Sequence, residues 1–155
     1  MYNKILVPLD GSPLAECVLP HVDAIARGCG VRSVTFLRIV EPLYLAGGDE
    51  VSGFSMGLLD KATADRQAAA EKYLKDLVAR TNYDGVSVEW QAYIGRPADE
   101  IIEFCRKHDI DLIAIATHGR SGVTRWVWGS VADRVLRSAC APVLMVRPKG
   151  CAPGY

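Results

Sequence analysis

One stretch of this 155-residue chain has the residue types needed to hold an anion. It runs from Thr117 to Ser130, is rich in glycine, and lies between the apolar run 111–116 and a helical pattern that begins at Val131. Glycines let backbone N–H groups approach an anion closely, and the following helix adds unpaired donors and the positive end of its dipole. A loop of this kind can bind a phosphate group.

A second candidate segment is Asp10-Gly11-Ser12, which follows the apolar run from Lys4 to Leu9. A carboxylate at the end of a buried strand can bind the hydroxyl groups of a ligand, and it can also stabilise the turn itself. In parallel sheets, ligands bind outside the carboxyl ends of the strands, where the strand order reverses. The order of the secondary-structure elements therefore decides whether the two segments form one site.

The chain alternates strand and helix patterns from end to end. Strands are predicted at 4–9, 33–40, 86–92, 112–116 and 142–147, and helices at 12–28, 60–80, 97–107 and 131–138. We expect Pro20 to kink the first helix and residues 43–59, which lack a clear period, to form a loop. The pattern predicts one α/β domain over residues 1–148, a three-layer α/β/α sandwich with a five-stranded parallel sheet. Residues 149–155 are expected to be a disordered tail.

Composition argues against several classes of partner. The chain has 18 basic and 18 acidic residues, so its net charge of zero gives no sign of binding to nucleic acid or an anionic membrane. No apolar run approaches the roughly 20 residues that span a bilayer, and no signal-peptide pattern is present. The five cysteines form no CxxC pair and no zinc-type cluster, so they are expected to be reduced thiols. These features predict a cytoplasmic protein.

Several motifs occur in order along nearly the whole chain. They are Ile5-Leu-Val-Pro-Leu-Asp10-Gly-Ser12, Gly95-Arg-Pro-Ala-Asp-Glu-Ile101, Thr117-His-Gly-Arg-Ser-Gly122, Gly129-Ser-Val-Ala-Asp133 and Pro142-Val-Leu-Met-Val-Arg147. In this combination the chain resembles the universal stress protein family. The resemblance implies a Rossmann-like fold of the adenine nucleotide alpha hydrolase-like type. For the family's nucleotide-binding subgroup it also implies ATP, with Mg²⁺ or Mn²⁺, as the ligand.

That subgroup is marked by glycine, two residues, glycine, nine residues, glycine, then serine or threonine. In this chain the pattern falls on Ala116, Gly119, Gly129 and Ser130, so alanine replaces the first glycine. Alanine would strain the turn if position 116 required a positive φ, and it would cost little as an ordinary last residue of a strand.

The resemblance implies a set of nucleotide-binding residues: Pro8, Leu9, Asp10, Ile39, Ala116, Gly119, Arg120, Gly129, Ser130 and Val131. In this reading Asp10 binds the ribose hydroxyls or the metal-bound phosphates, and Ile39 contacts adenine. The N–H groups of the glycines and of Val131, with the Ser130 hydroxyl, bind the phosphates. Ser130 has a second interpretation, because Ser130-Val-Ala-Asp133 is similar to the capping box at the start of a helix.

Three classes of function remain open. The first is an ATP-binding stress-response regulator, with AMP or cyclic AMP as alternative ligands. The second is a nucleotide-independent interaction module, and the third is a hydrolase. His118, Ser130 and Asp10 have the residue types of a hydrolytic triad, but no nucleophile-elbow motif and no GxxxxGK[ST] loop are present, so hydrolysis is expected to be slow at most. The resemblance also implies a homodimer through the strand at 142–147.

Overall fold

The computed structural model describes residues 2–43, 53–117 and 129–148, with only the backbone described for residues 53–55. Its strands are β1 (Lys4–Pro8), β2 (Ser33–Val40), β3 (Ser87–Ile94), β4 (Leu112–Ala116) and β5 (Val143–Val146). Its α-helices are α1 (Leu19–Cys29), α2 (Gly53–Arg80), α3 (Pro97–Lys107) and α4 (Ser130–Ser138), and a short 3-10 helix (Ala15–Val18) precedes α1.

The five strands form one parallel sheet in the order β3-β2-β1-β4-β5. All five residues of β4 and four of the five in β1 are buried, as expected of central strands covered on both faces. β3 and β5 form the two edges. The predicted five-stranded parallel sheet is therefore confirmed.

Helices pack on both faces of this sheet. One core lies between the sheet and helices α1 and α2, and it includes Ile5, Val7, Phe36, Val22 and Leu74. The other lies between the sheet and helices α3 and α4, and it includes Leu6, Leu37, Ile113, Ile101 and Val135. Burying an aliphatic side chain of this size contributes about 1.5–3 kcal/mol. The predicted three-layer α/β/α sandwich is confirmed.

The expected kink at Pro20 is wrong. The segment predicted as one helix from residue 12 to residue 28 consists of the 3-10 helix followed by α1, and Pro20 lies in the first turn of α1. The N–H groups of a first turn have no partner within the helix, so proline loses nothing there. Pro20 therefore stands at the start of α1.

The loop expected at residues 43–59 is also partly wrong, because α2 begins at Gly53 instead of residue 60. Two properties of residues 53–59 explain why the sequence pattern does not predict this helix start. Glycines at 53 and 57 lower the helix propensity, and Met56 and Leu58 are more than half exposed, so the apolar residues follow no amphipathic period. Residues 44–52 lie outside the described ranges.

Other boundaries differ by one or two residues. α4 begins at Ser130 instead of residue 131, β3 extends to Ile94, and β5 is limited to Val143–Val146. Leu9 lies just beyond β1, although its N–H still donates a 2.8 Å hydrogen bond to the Leu37 carbonyl. Among the helices of the described ranges, none has the length and apolar character needed to cross a membrane.

Candidate functional site

A cleft of about 560 Å³ opens at the place where the strand order reverses. The chain leaves β1 towards β2 on one side, whereas β4 lies on the other side, so the loops that follow β1 and β4 diverge here. The structure brings these residues of the expected set together in the cleft: Pro8, Leu9, Asp10, Ile39, Ala116, Gly129, Ser130 and Val131. Gly119 and Arg120 lie outside the described residues, as does His118.

The Asp10 carboxylate is held in position by the turn that follows β1. Its Oδ1 atom accepts a 2.8 Å hydrogen bond from the Ser12 N–H, and the Ser12 hydroxyl oxygen accepts one of 3.2 Å from the Ala15 N–H. Asp10 therefore stabilises the turn, which is one of the two roles expected for it. Asp10 also lines the cleft, so the turn orients a carboxylate at the wall of the cleft.

Arg38 is a wall residue that the sequence reasoning missed. It lies near the carboxyl end of β2 and approaches Gly11, whose φ is +83°. A Cβ atom at position 11 would lie 2.7 Å from Arg38 Nη1, so only glycine fits without a shift of the guanidinium group. A basic residue so near the end of a buried strand is the signal that could have identified it.

The guanidinium group of Arg38 is also connected to a polar cluster behind the cleft. Its Cζ atom lies 5.2 Å from the centre of the Tyr73 ring. The Tyr73 hydroxyl donates a 2.9 Å hydrogen bond to Glu16, which also accepts one of 2.8 Å from Arg80. Burial, followed by the interaction with Glu16, raises the pKa of Tyr73 above its ordinary value. The tyrosine therefore stays protonated in this cluster.

Helix α2 contributes a second basic residue, Arg66. Its Nη1 atom donates a 3.0 Å hydrogen bond to the carbonyl of Glu41, and both residues line the cleft beyond the end of β2. Ile39, near the end of β2, also lines the cleft, and it packs partly against the second core on the face of the sheet opposite α2. The position of Arg66 depends on how α2 packs across the sheet, so no local pattern identifies it.

Ala116, the departure from the glycine pattern, is an ordinary strand residue. It is the last residue of β4 and pairs with Val146 of β5. Its φ is not among the positive values found in the described residues, which occur at three glycines and at Asp84 and Asp109. Of the two possibilities for this position, the structure supports the one in which the methyl group causes no backbone strain.

Gly129 has a different role from the one expected. Its N–H donates a 2.8 Å hydrogen bond to the Thr117 carbonyl instead of remaining available to a phosphate. A Cβ atom at position 129 would lie 2.9 Å from that carbonyl oxygen. Glycine is required here because β4 and the start of α4 approach each other closely.

The donors at the end of the cleft come from the first turn of α4. Gly129 is the N-cap, and its carbonyl accepts the first helical hydrogen bond, from the Asp133 N–H. The N–H groups of Ser130, Val131 and Ala132 therefore precede the first intrahelical donor, and all three residues line the cleft. Their position at the positive end of the helix dipole suits an anion.

The expected capping box at Ser130 is wrong. Ser130 is the first helical residue, and no capping hydrogen bond from a side chain is present. Helix α4 begins one residue earlier than predicted because Gly129 occupies the cap position beside Thr117. Ser130 is exposed, so its hydroxyl lies at the cleft instead of serving the helix.

The residues of the cleft do not form a metal site by themselves. Within the described ranges, no group of three or more His, Cys, Asp or Glu side chains is arranged to hold a metal ion. Among the residues that the structure describes, Asp10 and Glu41 are the carboxylates that line the cleft. Mg²⁺ is commonly held by one or two carboxylates together with substrate phosphates. These two carboxylates therefore fit a metal ion that binds together with a phosphate-containing molecule.

The fold is that of a doubly wound α/β protein with a cleft at its topological switch point. A family model described as the universal stress protein family matches residues 1–147. This chain belongs to the universal stress protein family.

Several known proteins are similar to this chain over nearly all of its length. Universal stress protein MJ0531 of Methanocaldococcus jannaschii is 31% identical over 151 residues, covering 95% of this chain and 83% of the relative. The solved structure of MJ0577 has a TM-score of 0.74 at 29% identity and covers 97% of this chain and 99% of its own. UspA of Lactobacillus plantarum has a TM-score of 0.69 at 26% identity, with coverages of 94% and 98%.

Proposed function

We propose that this protein binds an adenine nucleotide, with ATP as the first candidate, in the cleft between the ends of β1 and β4. The observation that carries the proposal is that one cleft contains both the Asp10 carboxylate and the first turn of α4. A volume of about 560 Å³ falls within the range of small-molecule sites.

Each part of a nucleotide has a matching wall in the cleft. We assign the phosphates to the N–H groups of Ser130, Val131 and Ala132 and to the Ser130 hydroxyl. Asp10 is suited to the ribose hydroxyls, or to a Mg²⁺ or Mn²⁺ ion bound to the phosphates. Ile39 offers an apolar surface for adenine.

Two further proteins of this fold carry adenine nucleotides. One is a universal stress protein in complex with cyclic AMP, at 18% identity and a TM-score of 0.58. The other is an Arabidopsis thaliana protein of the family with AMP bound, at 15% identity and a TM-score of 0.64. At this identity they share the fold alone, so AMP and cyclic AMP remain alternatives to ATP in our proposal.

The principal competing function is a nucleotide-independent interaction module. The feature that favours this alternative is Ala116, in place of the first glycine of the pattern. Its support is weak, because Ala116 is an unstrained residue of a strand. The two functions make opposite predictions for Ala116→Gly. Our proposal expects little change in affinity for Mg-ATP, whereas a site disabled by the methyl group would gain affinity by tenfold or more.

We further propose that nucleotide occupancy regulates a stress response from the cytoplasm, as a homodimer joined through β5. β5 is an edge strand with three half-buried residues and one buried residue, and an unpaired edge of this kind is suited to pairing with a second copy. Hydrolysis of ATP stays a subordinate prediction, with slow turnover at most.

Asp10→Asn provides a sharp test of the nucleotide site. The amide oxygen can still accept the hydrogen bond from the Ser12 N–H, so the turn is preserved while the negative charge is lost. We expect Mg-ATP affinity, measured by titration calorimetry, to fall by roughly tenfold, which corresponds to about 1.4 kcal/mol. Asp76→Asn is the matched control, because Asp76 is paired with Lys72 on the surface of α2.

Freshly purified protein is to be examined in parallel by mass spectrometry for retained nucleotide. Binding of ATP, AMP or cyclic AMP that weakens in Asp10→Asn and not in Asp76→Asn supports the proposal and identifies the ligand. Absence of retained nucleotide together with no binding of any of the three would overturn it.

A further inference from the structure

Two cysteine side chains that the nucleotide site does not use are in contact. Cys105, near the end of α3, and Cys140, in the segment between α4 and β5, have their Sγ atoms 3.4 Å apart. A disulfide requires about 2.05 Å between the sulfurs, so a shift of little more than 1 Å along this contact would bring them to bonding distance. The sequence, with no CxxC pair, gives no indication of this pairing.

The two thiols differ in their access to solvent. Cys105 is 1% exposed and lies in the second core, whereas Cys140 is exposed. A dissolved oxidant therefore reaches Cys140 first and meets Cys105 only through it. In redox-sensitive cysteine pairs, an accessible thiol is oxidised first and a neighbouring resolving thiol then forms a disulfide with it. Cys140 is placed for the first role and Cys105 for the second.

The protonation of Cys105 protects this thiol from direct oxidation. Burial, followed by the neighbouring Cys140, raises the pKa of the Cys105 thiol to about 12. The thiolate is the form that reacts with oxidants, so a protonated Cys105 is protected from direct attack at neutral pH. To attack the Cys140 sulfur, which lies 3.4 Å away, Cys105 must give up this proton as the S–S bond forms.

We propose that Cys105 and Cys140 form a peroxide-sensitive modification site, which closes to an intramolecular disulfide. In the first step, hydrogen peroxide oxidises the Cys140 thiol to a sulfenic acid, and the peroxide is reduced to one water molecule. In the second step, the Cys105 sulfur attacks the Cys140 sulfur and forms the S–S bond. The sulfenic hydroxyl leaves with the Cys105 proton as a second water molecule.

The disulfide would enclose the part of the chain that builds one side of the cleft. The two cysteines are 35 positions apart, and β4, Gly129 and α4 all lie between them. The crosslink would fasten the end of α3 to the end of α4, two helices that already pack together on the same face of the sheet. Neither cysteine is among the described residues that line the cleft, so the proposed modification does not rest on nucleotide binding.

The test uses the reduced full-length protein, treated with a small molar excess of hydrogen peroxide and then alkylated. We expect an intact mass lower by two hydrogen atoms before alkylation, the loss of two of the five thiols, and a crosslinked peptide containing Cys105 and Cys140. Dithiothreitol should restore both thiols. Cys140→Ser should abolish the crosslink, and because that side chain is exposed, the fold should be unaffected.

Cys29→Ser is the matched control and should retain the crosslink, because Cys29 is on α1 at the opposite face of the sheet. A crosslink that joins Cys140 to Cys151 would overturn the proposal. So would oxygen added to Cys140 in the wild-type protein with Cys105 remaining a free thiol.

Discussion

The backbone N–H of Gly129 donates a 2.8 Å hydrogen bond to the carbonyl oxygen of Thr117. This bond joins the residue that follows β4 to the residue that caps α4. It fixes the first turn of α4 beside the carboxyl end of β4, where Ser130 and Ala116 both line the cleft. The position of the N–H groups in this first turn therefore depends on a hydrogen bond between two backbone groups.

Gly129→Ala is expected to destabilise the protein by about 1–3 kcal/mol, because the new Cβ atom would meet the Thr117 oxygen at 2.9 Å and force the two segments apart. Urea denaturation measures the change. Gly28→Ala in α1 is the matched control, since a Cβ atom there meets nothing within 4 Å. It should be neutral or stabilising by up to about 1 kcal/mol. Equal losses in both variants would contradict this account of Gly129.

Tyr73→Phe is expected to reduce the free energy of unfolding by about 1 kcal/mol, because it removes the hydrogen bond to Glu16 and keeps the ring beneath Arg38. A double-mutant cycle with Glu16→Ala isolates the interaction, because alanine has no acceptor for the Tyr73 hydroxyl. The two changes should be less than additive. Full additivity would show that the Tyr73 hydroxyl and Glu16 do not stabilise each other.

Stability is expected to fall between about pH 10 and pH 12. Burial, followed by the charge of Asp23, raises the pKa of Tyr83 from its ordinary value near 10 to about 12. In this range the unfolded chain loses the Tyr83 proton while the folded chain retains it, so the stability present below pH 10 declines as pH rises. Urea denaturation across this range measures the decline, which is about 2 kcal/mol for this residue.

Tyr83→Phe should remove part of the alkaline decline. A residual slope is expected, because Tyr73 and Cys105 also have raised pKa values in the folded protein. If the variant loses stability with pH as steeply as the wild type, Tyr83 does not titrate as described.

Met145→Lys is expected to convert the proposed dimer to a monomer at micromolar concentration. Met145 is half-buried on the edge strand β5, and a lysine on an edge strand opposes pairing with a second sheet. Sedimentation velocity measures the change, with circular dichroism to verify folding. Gln91→Lys on the opposite edge strand, β3, is the control and should remain dimeric. A wild-type protein that sediments as a monomer would contradict the dimer itself.

Much of the fold could be predicted from local patterns. The sequence of β4 is Leu-Ile-Ala-Ile-Ala, a short uninterrupted apolar run. Such a run is typical of a strand that is buried on both faces of a sheet. All five of these residues are buried in the structure. The start of α2 could not be predicted in this way, because Met56 and Leu58 are exposed and mark no face. The effect of Pro20 could not be predicted from the pattern alone, because it depends on where the α-helix begins.

The cleft was predictable in part. Asp10 follows the end of β1 and Ser130 begins α4, and both element ends are recognisable in the sequence. The topology therefore brings the two residues to one edge of the sheet. Arg66 depends on the packing of α2, which no local pattern specifies. The hydrogen bond from the Gly129 N–H to the Thr117 carbonyl forms because the backbones at the end of β4 and the start of α4 lie close together. A contact between two backbones produces no pattern of side chains in the sequence.

The strand order β3-β2-β1-β4-β5 has a consequence for folding. Asp10 comes from the first β/α unit and Ser130 from the last helix, so the cleft exists only after the first and final portions of the chain have joined across β1 and β4. Any small molecule that binds there stabilises the native state without binding the unfolded chain. Such a ligand would hold the two halves of the sheet together and slow their separation.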